Sequence, residues 1–552
     1  MPSPLTVAYF TMEVGLKSSM PTFAGGLGIL AADLMRSCAD LGVKAACMTV
    51  CWQHGYLRQT IHHDGSQSYD DMHWNPEEHL KKLPQTVTIF VEGRPVTIGV
   101  WVYELAGAKN MVPIYFLDTN LPENKPEDRE ITHYLYGGDQ AMRIRQELVL
   151  GIGGVRMLRA LGYRDIGTYH MNEGHAAFLT LELLRERDWK DEDVRRSCAF
   201  TTHTPVQAGH DVFPYDLASR IAGDNLPWHI RKIAGEDALS MTLLAMHMSR
   251  YTCGVSRIHG EVSRSLFPGE MIDAVTNGIH HLTWSSPEMQ ALFDRFSPGW
   301  REDPSVLLET CRNYPDEELW TAHQAGKARL IAEVNARTGQ KFSVDRLTIA
   351  SARRIVPYKQ PELLYSNLER LKEVCQGAVQ IIHAGNAHPS DPFSQGVIQR
   401  MVQRSAELKD FVEVVYLENY NPDLAKLLTQ GADIWLNTPM RLHEASGTSG
   451  MKACLNGVLN LSTLDGWWIE GYGFDPEAGW RIGPLVQAVT PEEHRIVDAE
   501  DIYTQLQYEV IPEYYFAGRT RWIRRMKRAI GLIGFFNAQR CVREYLEKAW
   551  EE

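Results

Sequence analysis

The sequence predicts an α/β protein with two doubly wound, Rossmann-like domains. Three observations carry this. Short apolar runs of buried-strand type alternate with helical patterns along most of the chain, as in parallel sheets covered on both faces. At 552 residues the chain exceeds what one core organises. Glycine-rich and polar motifs stand where the strand-like runs end, which is where open α/β sheets bind ligands.

Taken in order, residues 7–10 read as a first strand. Gly25-Gly26-Leu27-Gly28 follows, then a helix through 30–41 and a buried strand at 43–50. Residues 86–91, 96–102 and 112–117 read as additional strands or a β-rich insertion, and 140–161 as a long helix. Strands at 165–169 and 199–203 end in two histidine-bearing motifs, and 271–275 leads into Asn277-Gly278. Pro287, Pro298, Pro304 and Pro315 punctuate 285–345. The domain junction is expected there, with a helix around 317–338 as its last element. Strands of the second unit are expected at 346–352, 379–383, 412–417, 433–436 and 458–461, with helices between them, among them 361–375 and 422–428. After 489 the pattern is helical and aromatic. The expected division is 1–300, 301–490 and a C-terminal helical segment 491–552.

A net charge of −13 argues against nonspecific nucleic-acid binding, which needs basic surface. An anion must therefore be met by a local cluster of donors. The nine cysteines are odd in number and lack zinc-type spacing, so buried free thiols in a reducing cytoplasm are expected. No signal peptide is read before the first strand, and no apolar run is long enough to span a membrane.

The strongest chemical signal is His443-Glu444-Ala445-Ser446-Gly447-Thr448-Ser449-Gly450-Met451-Lys452. Small residues and two glycines precede a lone lysine, and an apolar helical pattern follows. Such a turn can aim backbone N–H groups at an anion. The lysine can act as a counter-charge or form a Schiff base with an aldehyde cofactor. The Walker pattern does not fit, because no Ser/Thr follows the lysine. Arg353-Arg354-Ile355-Val356-Pro357-Tyr358-Lys359 sets three cations within seven residues, enough to neutralise two phosphate groups or simply to form a solvated basic turn. His170, His175, His203, His210, His280 and His281 form no metal motif, and no metal is expected. Trp467-Trp468 reads as a buried aromatic pair in preference to a sugar platform.

Glu444 to Lys452, continued by Asn456-Gly457 and Leu464-Asp465-Gly466, resembles the α-glucan phosphorylase family. Gly25 to Gly28, Asn172-Glu173-Gly174-His175, Thr201 to Pro205, Thr276-Asn277-Gly278-Ile279 and Glu418-Asn419-Tyr420 match in the same order. The likeness is nearest to the short bacterial and archaeal branch, with this chain as a divergent member. It implies a B-type glycosyltransferase fold, with two Rossmann-like domains facing a cleft and the C-terminal helices crossing back to the first. It implies pyridoxal 5′-phosphate on Lys452, contacted by Arg353, Tyr420, Thr448, Ser449 and Trp284. Arg354 and Lys359 would hold the substrate phosphate, and Gly26 would contact it through its N–H. His203, Asn277 and Glu444 would line the sugar pocket, with Tyr358, Ser446 and Gly447 also on the substrate. The implied reaction is reversible phosphorolysis of α-1,4-glucan or maltooligosaccharide by inorganic phosphate, giving α-glucose 1-phosphate. A nucleotide-sugar glycosyltransferase of the same fold and a non-catalytic carbohydrate-binding homologue remain as alternatives. The chain departs from the family pattern at Ala24, Val356, Pro357, Gln360, Asn386 and Asn421. The last two are neutral where many members carry a cation. The short N-terminus predicts no phosphorylatable regulatory extension. A homo-oligomer is left open.

Overall fold

A computed structural model describes residues 3–55, 58–484, 490–516 and 518–550. The chain forms two compact units. The first holds the described residues of Met1–Tyr56, Asp71–Thr276 and Ala538–Glu552, and the second those of Leu57–Asp70 and Asn277–Asn537. The division at 276–277 lies upstream of residues 285–345, and the helix Asp316–Thr338 lies within the second unit.

In the first unit, Leu5–Thr11 pairs in parallel with Ala45–Val50 on one side and Ile166–Asn172 on the other. From Ala45–Val50 the sheet continues through Met111–Asp118, Arg94–Ala106 and Lys81–Val91, the last two pairings being antiparallel. From Ile166–Asn172 it continues in parallel through Cys198–Thr201, Tyr251–Gly254 and Asp273–Ala274. The first strand is apolar at nearly every position because both its faces are covered. Ala8 and Phe10 enter one core with Leu148, Val155 and Leu158. Val7 and Tyr9 enter the other with Leu30 and Leu34 of the helix Gly26–Leu41. Chain order reverses at this strand, so the carboxyl ends of Leu5–Thr11 and Ile166–Asn172 form a topological switch point.

The long helix expected over 140–161 is interrupted. Gln140–Leu148 and Gly154–Ala160 flank a π turn at Val149–Gly153. Gly151 there passes so close to the backbone of Phe178 and Leu179 that a Cβ would collide with it. The C-terminal residues 538–550 complete this unit. Trp550 Nε1 donates to His170 Nδ1 (2.9 Å), and Arg250 donates to the Ala549 carbonyl (2.7 Å).

The second unit carries a six-stranded parallel sheet in the order Glu413–Leu417, Val379–Ala384, Leu347–Ala352, Ile434–Asn437, Leu459–Thr463, Gly479–Ile482. Its switch point lies between Leu347–Ala352 and Ile434–Asn437. Asp433, at the entry to the latter, is fully buried. It accepts from Lys327 Nζ (2.6 Å) and the Thr348 N–H (2.8 Å) and bonds His323 Nε2 (2.9 Å). Burial pushes this carboxyl up, but Lys327 and His323 outweigh burial and hold it below the ordinary range. The hairpin Arg58–Ile61/Gln67–Asp70 also belongs here, because Gln59 N–H donates to Asn419 Oδ1 (2.8 Å) and Ile61 N–H to Glu418 Oε2 (2.9 Å).

One further expectation is corrected. The helix expected over 361–375 begins only at Leu368, after a 3-10 turn Leu363–Tyr365, where Asn367 caps it by accepting from the Arg370 N–H (3.0 Å). Within 271–275 only Asp273–Ala274 forms a strand, which pairs on one side. Tyr251–Gly254 and Gly479–Ile482 are further strands that the pattern did not announce. Among the described residues no helix is long and apolar enough to cross a membrane. Asp433→Ala should cost about 3–5 kcal/mol, the usual result of stranding a buried charge partner. A lowered denaturation midpoint of the second unit checks this, and an unchanged midpoint contradicts it.

Candidate functional site

The segment after Leu347–Ala352 and the segment after Ile434–Asn437 meet at the switch point of the second sheet. Arg353 begins the first. Its N–H donates to Ala384 O (3.2 Å) and its Nη2 to Leu436 O (2.8 Å), while Nη1 is buried without a partner. Burial pulls this guanidinium down to about 10 against the pull of Glu444, Tyr358 and Tyr420. Val356 is extended, and Pro357 opens a 3-10 turn, Pro357–Lys359, whose fixed φ suits a first helical position. Gln360 closes it in the left-handed region (φ 45°). Arg354 is exposed, and its charge bears on His388 and Asp391.

Lys359 forms an ion pair with the buried carboxylate of Glu444. Burial opposes the ammonium, but Glu444 more than offsets it and raises the lysine above its ordinary pKa. The Glu444 loop is held from beneath by Asp465. One carboxylate oxygen accepts from the N–H groups of Glu444 (2.7 Å) and His443 (3.1 Å), and the other from Gly466 (2.9 Å). Burial, with Glu444 adding to it, pushes the Asp465 carboxyl up to about 7. Gly447 (φ 82°) and Gly466 (φ 53°) take left-handed backbone, and a Cβ on Gly466 would strike the Ser446 carbonyl. Tyr358 stacks near His443 (6.4 Å), and Ser446 Oγ is buried without a partner.

Lys452 lies on the short helix Ser449–Leu455. It is 7 % exposed, and its Nζ stands 3.8 Å from the centre of the Trp284 ring. Asn456 ties the two together. Its Nδ2 donates to the carbonyls of Trp284 (3.0 Å) and Lys452 (2.9 Å), and its Oδ1 accepts from the Ser286 N–H (2.8 Å). Ser449 Oγ accepts from Trp435 Nε1 (3.1 Å), and the Thr448 carbonyl accepts from the Lys452 N–H (3.2 Å). Gly450 has no space for a Cβ against Asn460 and Trp467.

With this geometry in view, the comparisons with known proteins are decisive. The carbohydrate phosphorylase family model matches residues 206–473. The maltodextrin phosphorylase of Thermococcus litoralis is 38% identical over 99% of this chain and 70% of its own length. The glycogen phosphorylase of Aquifex aeolicus is 33% identical over 99% and 86%. An uncharacterised protein of Methanocaldococcus jannaschii is 31% identical over 99% of both chains. The chain belongs to the carbohydrate phosphorylase family.

The two neutral positions read as departures from the family pattern have structural work in the second unit. Asn421 caps the helix Pro422–Gly431 by accepting from the N–H groups of Asp423 and Leu424 (both 3.0 Å). Asn386 clamps Tyr420 in both directions, donating to its carbonyl (2.9 Å) and accepting from its N–H (3.1 Å). Tyr420 is pushed up to about 12 by burial, against Arg353. Asn277 is buried in this unit. Trp467 and Trp468 are buried against each other (5.2 Å), as expected.

His203 and Gly26 lie in the first unit. His203 Nε2 bonds Asn172 Oδ1 (2.6 Å), while Asn172 Nδ2 donates to Thr11 Oγ1 (3.0 Å). The ring proton therefore sits on Nε2, and Nδ1 is an acceptor. Burial, against the pull of Glu173, lowers the ring to about 4, so it is neutral at pH 7. Glu173 fixes the loop by accepting from the His203 N–H (2.7 Å) and Thr204 Oγ1 (2.9 Å). Gly26 is exposed at the start of Gly26–Leu41. A Cβ on Gly25 or Gly26 would meet nothing within 4 Å, so packing does not require glycine there.

Several residues of the site carry no motif of their own. Glu13 accepts from the N–H groups of Ala24 (2.7 Å) and Gly25 (3.1 Å) and from Tyr136 OH (2.8 Å). Arg143 covers the Tyr136 ring (4.5 Å) and pairs with Asp211 (3.3 Å) on the wall of a cavity of about 310 Å³. Their sequence signal is slight: Glu13 follows the strand Leu5–Thr11, and Arg143 lies on the helix Gln140–Leu148. Asp465 was visible as part of Leu464-Asp465-Gly466, but nothing there declared its grip on Glu444.

The raised Lys359 makes a pH-dependent prediction. Its pairing contributes stability that is complete below the ordinary lysine value and is lost as pH rises through the elevated one. In Glu444→Gln burial remains without the counter-charge, so the Lys359 pKa should drop below its ordinary value. Titration of Lys359 followed by NMR of methylated lysines checks this. An unmoved pKa contradicts the pairing.

Proposed function

We propose that the chain is a glycosyltransferase-type enzyme that catalyses reversible phosphorolysis of α-1,4-glucan to α-glucose 1-phosphate, with pyridoxal 5′-phosphate as cofactor. The observation that carries the reading is the cluster of half-buried Arg353 and Lys359 with buried Glu444 at the second switch point. It gathers cationic donors for phosphate beside a carboxylate acceptor for sugar hydroxyls, in a chain of net charge −13.

The residues present fit the cofactor. Lys452 is a buried amine packed on an aromatic face, which suits it to carry the ring, and Trp284 would lie against that ring. Arg353 has a buried Nη1 in want of an acceptor, which suits a phosphate group. Tyr420, Thr448 and Ser449 would complete the holder. When bound, the cofactor supplies a phosphate whose second ionisation lies near pH 6. Arg354 and Lys359 would bind and orient the substrate phosphate, with Tyr358 limiting the freedom of the Lys359 chain by the cation–π contact (5.0 Å). Gly26 leaves room for close approach of the phosphate to backbone. Glu444 and Asn277 would fix sugar hydroxyls, with Ser446 Oγ and Gly447 beside Glu444, and His203 would accept from a hydroxyl through Nδ1. In the reaction the glycosidic C1–O bond breaks, a phosphate oxygen bonds C1 on the same face, and the phosphate proton passes to the leaving oxygen. Fixed donors against the phosphate are the protein's main electrostatic contribution. The nine cysteines are buried, which suits a cytoplasmic enzyme.

Protein supplied with cofactor should release glucose 1-phosphate from maltooligosaccharide and phosphate. Arg354→Ala should lose about 1.5–3 kcal/mol in kcat/KM for phosphate, the worth of one charge-assisted contact, with cofactor content unchanged. Unaltered phosphate kinetics would overturn the role of Arg354. Glucose transfer from a nucleotide sugar, with no glucose 1-phosphate formed, would overturn the function.

A further inference from the structure

Two short segments of the first unit flank the hairpin Arg58–Asp70 in sequence, and between them they carry an unused cluster of metal-ligating side chains. Gly55 N–H donates to Met72 O (3.0 Å), and His54 pairs with His73 across an antiparallel bridge. His54 also bridges to Tyr134. One ligand atom each from His54, Asp71 and His73 lie within 4.8 Å of one another. The two imidazoles meet edge to face at 4.7 Å, the His133 ring is 5.5 Å from that of His54, and Tyr134 stacks on His54 at 4.4 Å.

Proximity alone does not make a site, but the bonding pattern adds to it. Among the described residues, no hydrogen bond joins Asp71 to either imidazole. Asp71 accepts only from Tyr134 OH (3.4 Å), and Nδ1 of His54 is buried without a partner. Three groups that could bond pairwise thus surround a common point without doing so. A neutral ring with an open lone pair is the form that ligates metal. Asp71 and His73 are exposed, so an ion can enter.

We propose that His54, Asp71 and His73 bind one borderline divalent cation of the Zn²⁺ type, with Tyr134 orienting the Asp71 carboxylate from outside. Two imidazoles and one carboxylate suit such an ion, whereas Mg²⁺ prefers an octahedron of oxygens. The ligands come from both sides of the hairpin, one before it and two after it. The ion would therefore tie together the two chain segments that lead into and out of the hairpin Arg58–Asp70. This site is independent of the glucan chemistry.

Untagged full-length protein, freed of metal by chelation, should take up one equivalent of Zn²⁺ in calorimetric titration, undisturbed by excess Mg²⁺. His73→Ala and Asp71→Asn should each weaken binding by more than roughly tenfold, the loss typical of removing even an outer-shell partner. Retention of wild-type uptake by the His54→Ala/His73→Ala double variant, or no uptake by the wild type, would overturn the site. X-ray absorption of the wild-type zinc complex gives a test free of folding effects. A shell with two imidazoles supports the site, and a sulfur-rich or all-oxygen shell overturns it.

Discussion

Arg353 and Lys359, both half-buried on the segment that follows Leu347–Ala352, are tenable there because the Glu444 carboxylate answers their charge. An unpaired buried cation would cost several kcal/mol. Glu444 can serve only if its loop is rigid, and rigidity comes from Asp465, which takes three backbone N–H groups from that loop and its own turn. The left-handed turns at Gly447 and Gly466 are what let the chain wrap Asp465 so closely. Much of the second unit's sequence between 437 and 468 follows from this one requirement.

The arrangement also fits transfer between two anionic forms of phosphate. One carboxylate in a cluster of cations leaves the site short of negative charge, and Arg353 keeps a donor unmet. An arriving phosphate finds donors already oriented, so little reorganisation is needed when charge moves. Burial and the neighbouring Glu444 push the Asp465 carboxyl up to about 7, against the three backbone N–H groups it accepts.

Much of the fold was legible. Val7, Tyr9, Ala8 and Phe10 face two different cores, which is why a continuous apolar run signalled a doubly covered strand. The motifs were legible because glycines and charged residues crowd strand ends. Other features were hidden for physical reasons. Gly479–Ile482 is a short edge strand with little pattern of its own. The hairpin 58–70 looks like a polar loop, and its allegiance to the second unit depends on two bonds to residues some 360 positions away. Asn386 and Asn421 read as missing cations, although one is a backbone clamp and the other a helix cap. His54, Asp71 and His73 have no motif spacing, and only the pairing of the two segments brings them together.

The most direct test of the central claim is the absorption spectrum of the purified protein. The account predicts a band from a covalently held pyridoxal group, one per chain, that is absent from Lys452→Ala while that variant stays folded by circular dichroism. Catalytically active protein with no pyridoxal band, or a band that persists undiminished in Lys452→Ala, would contradict it.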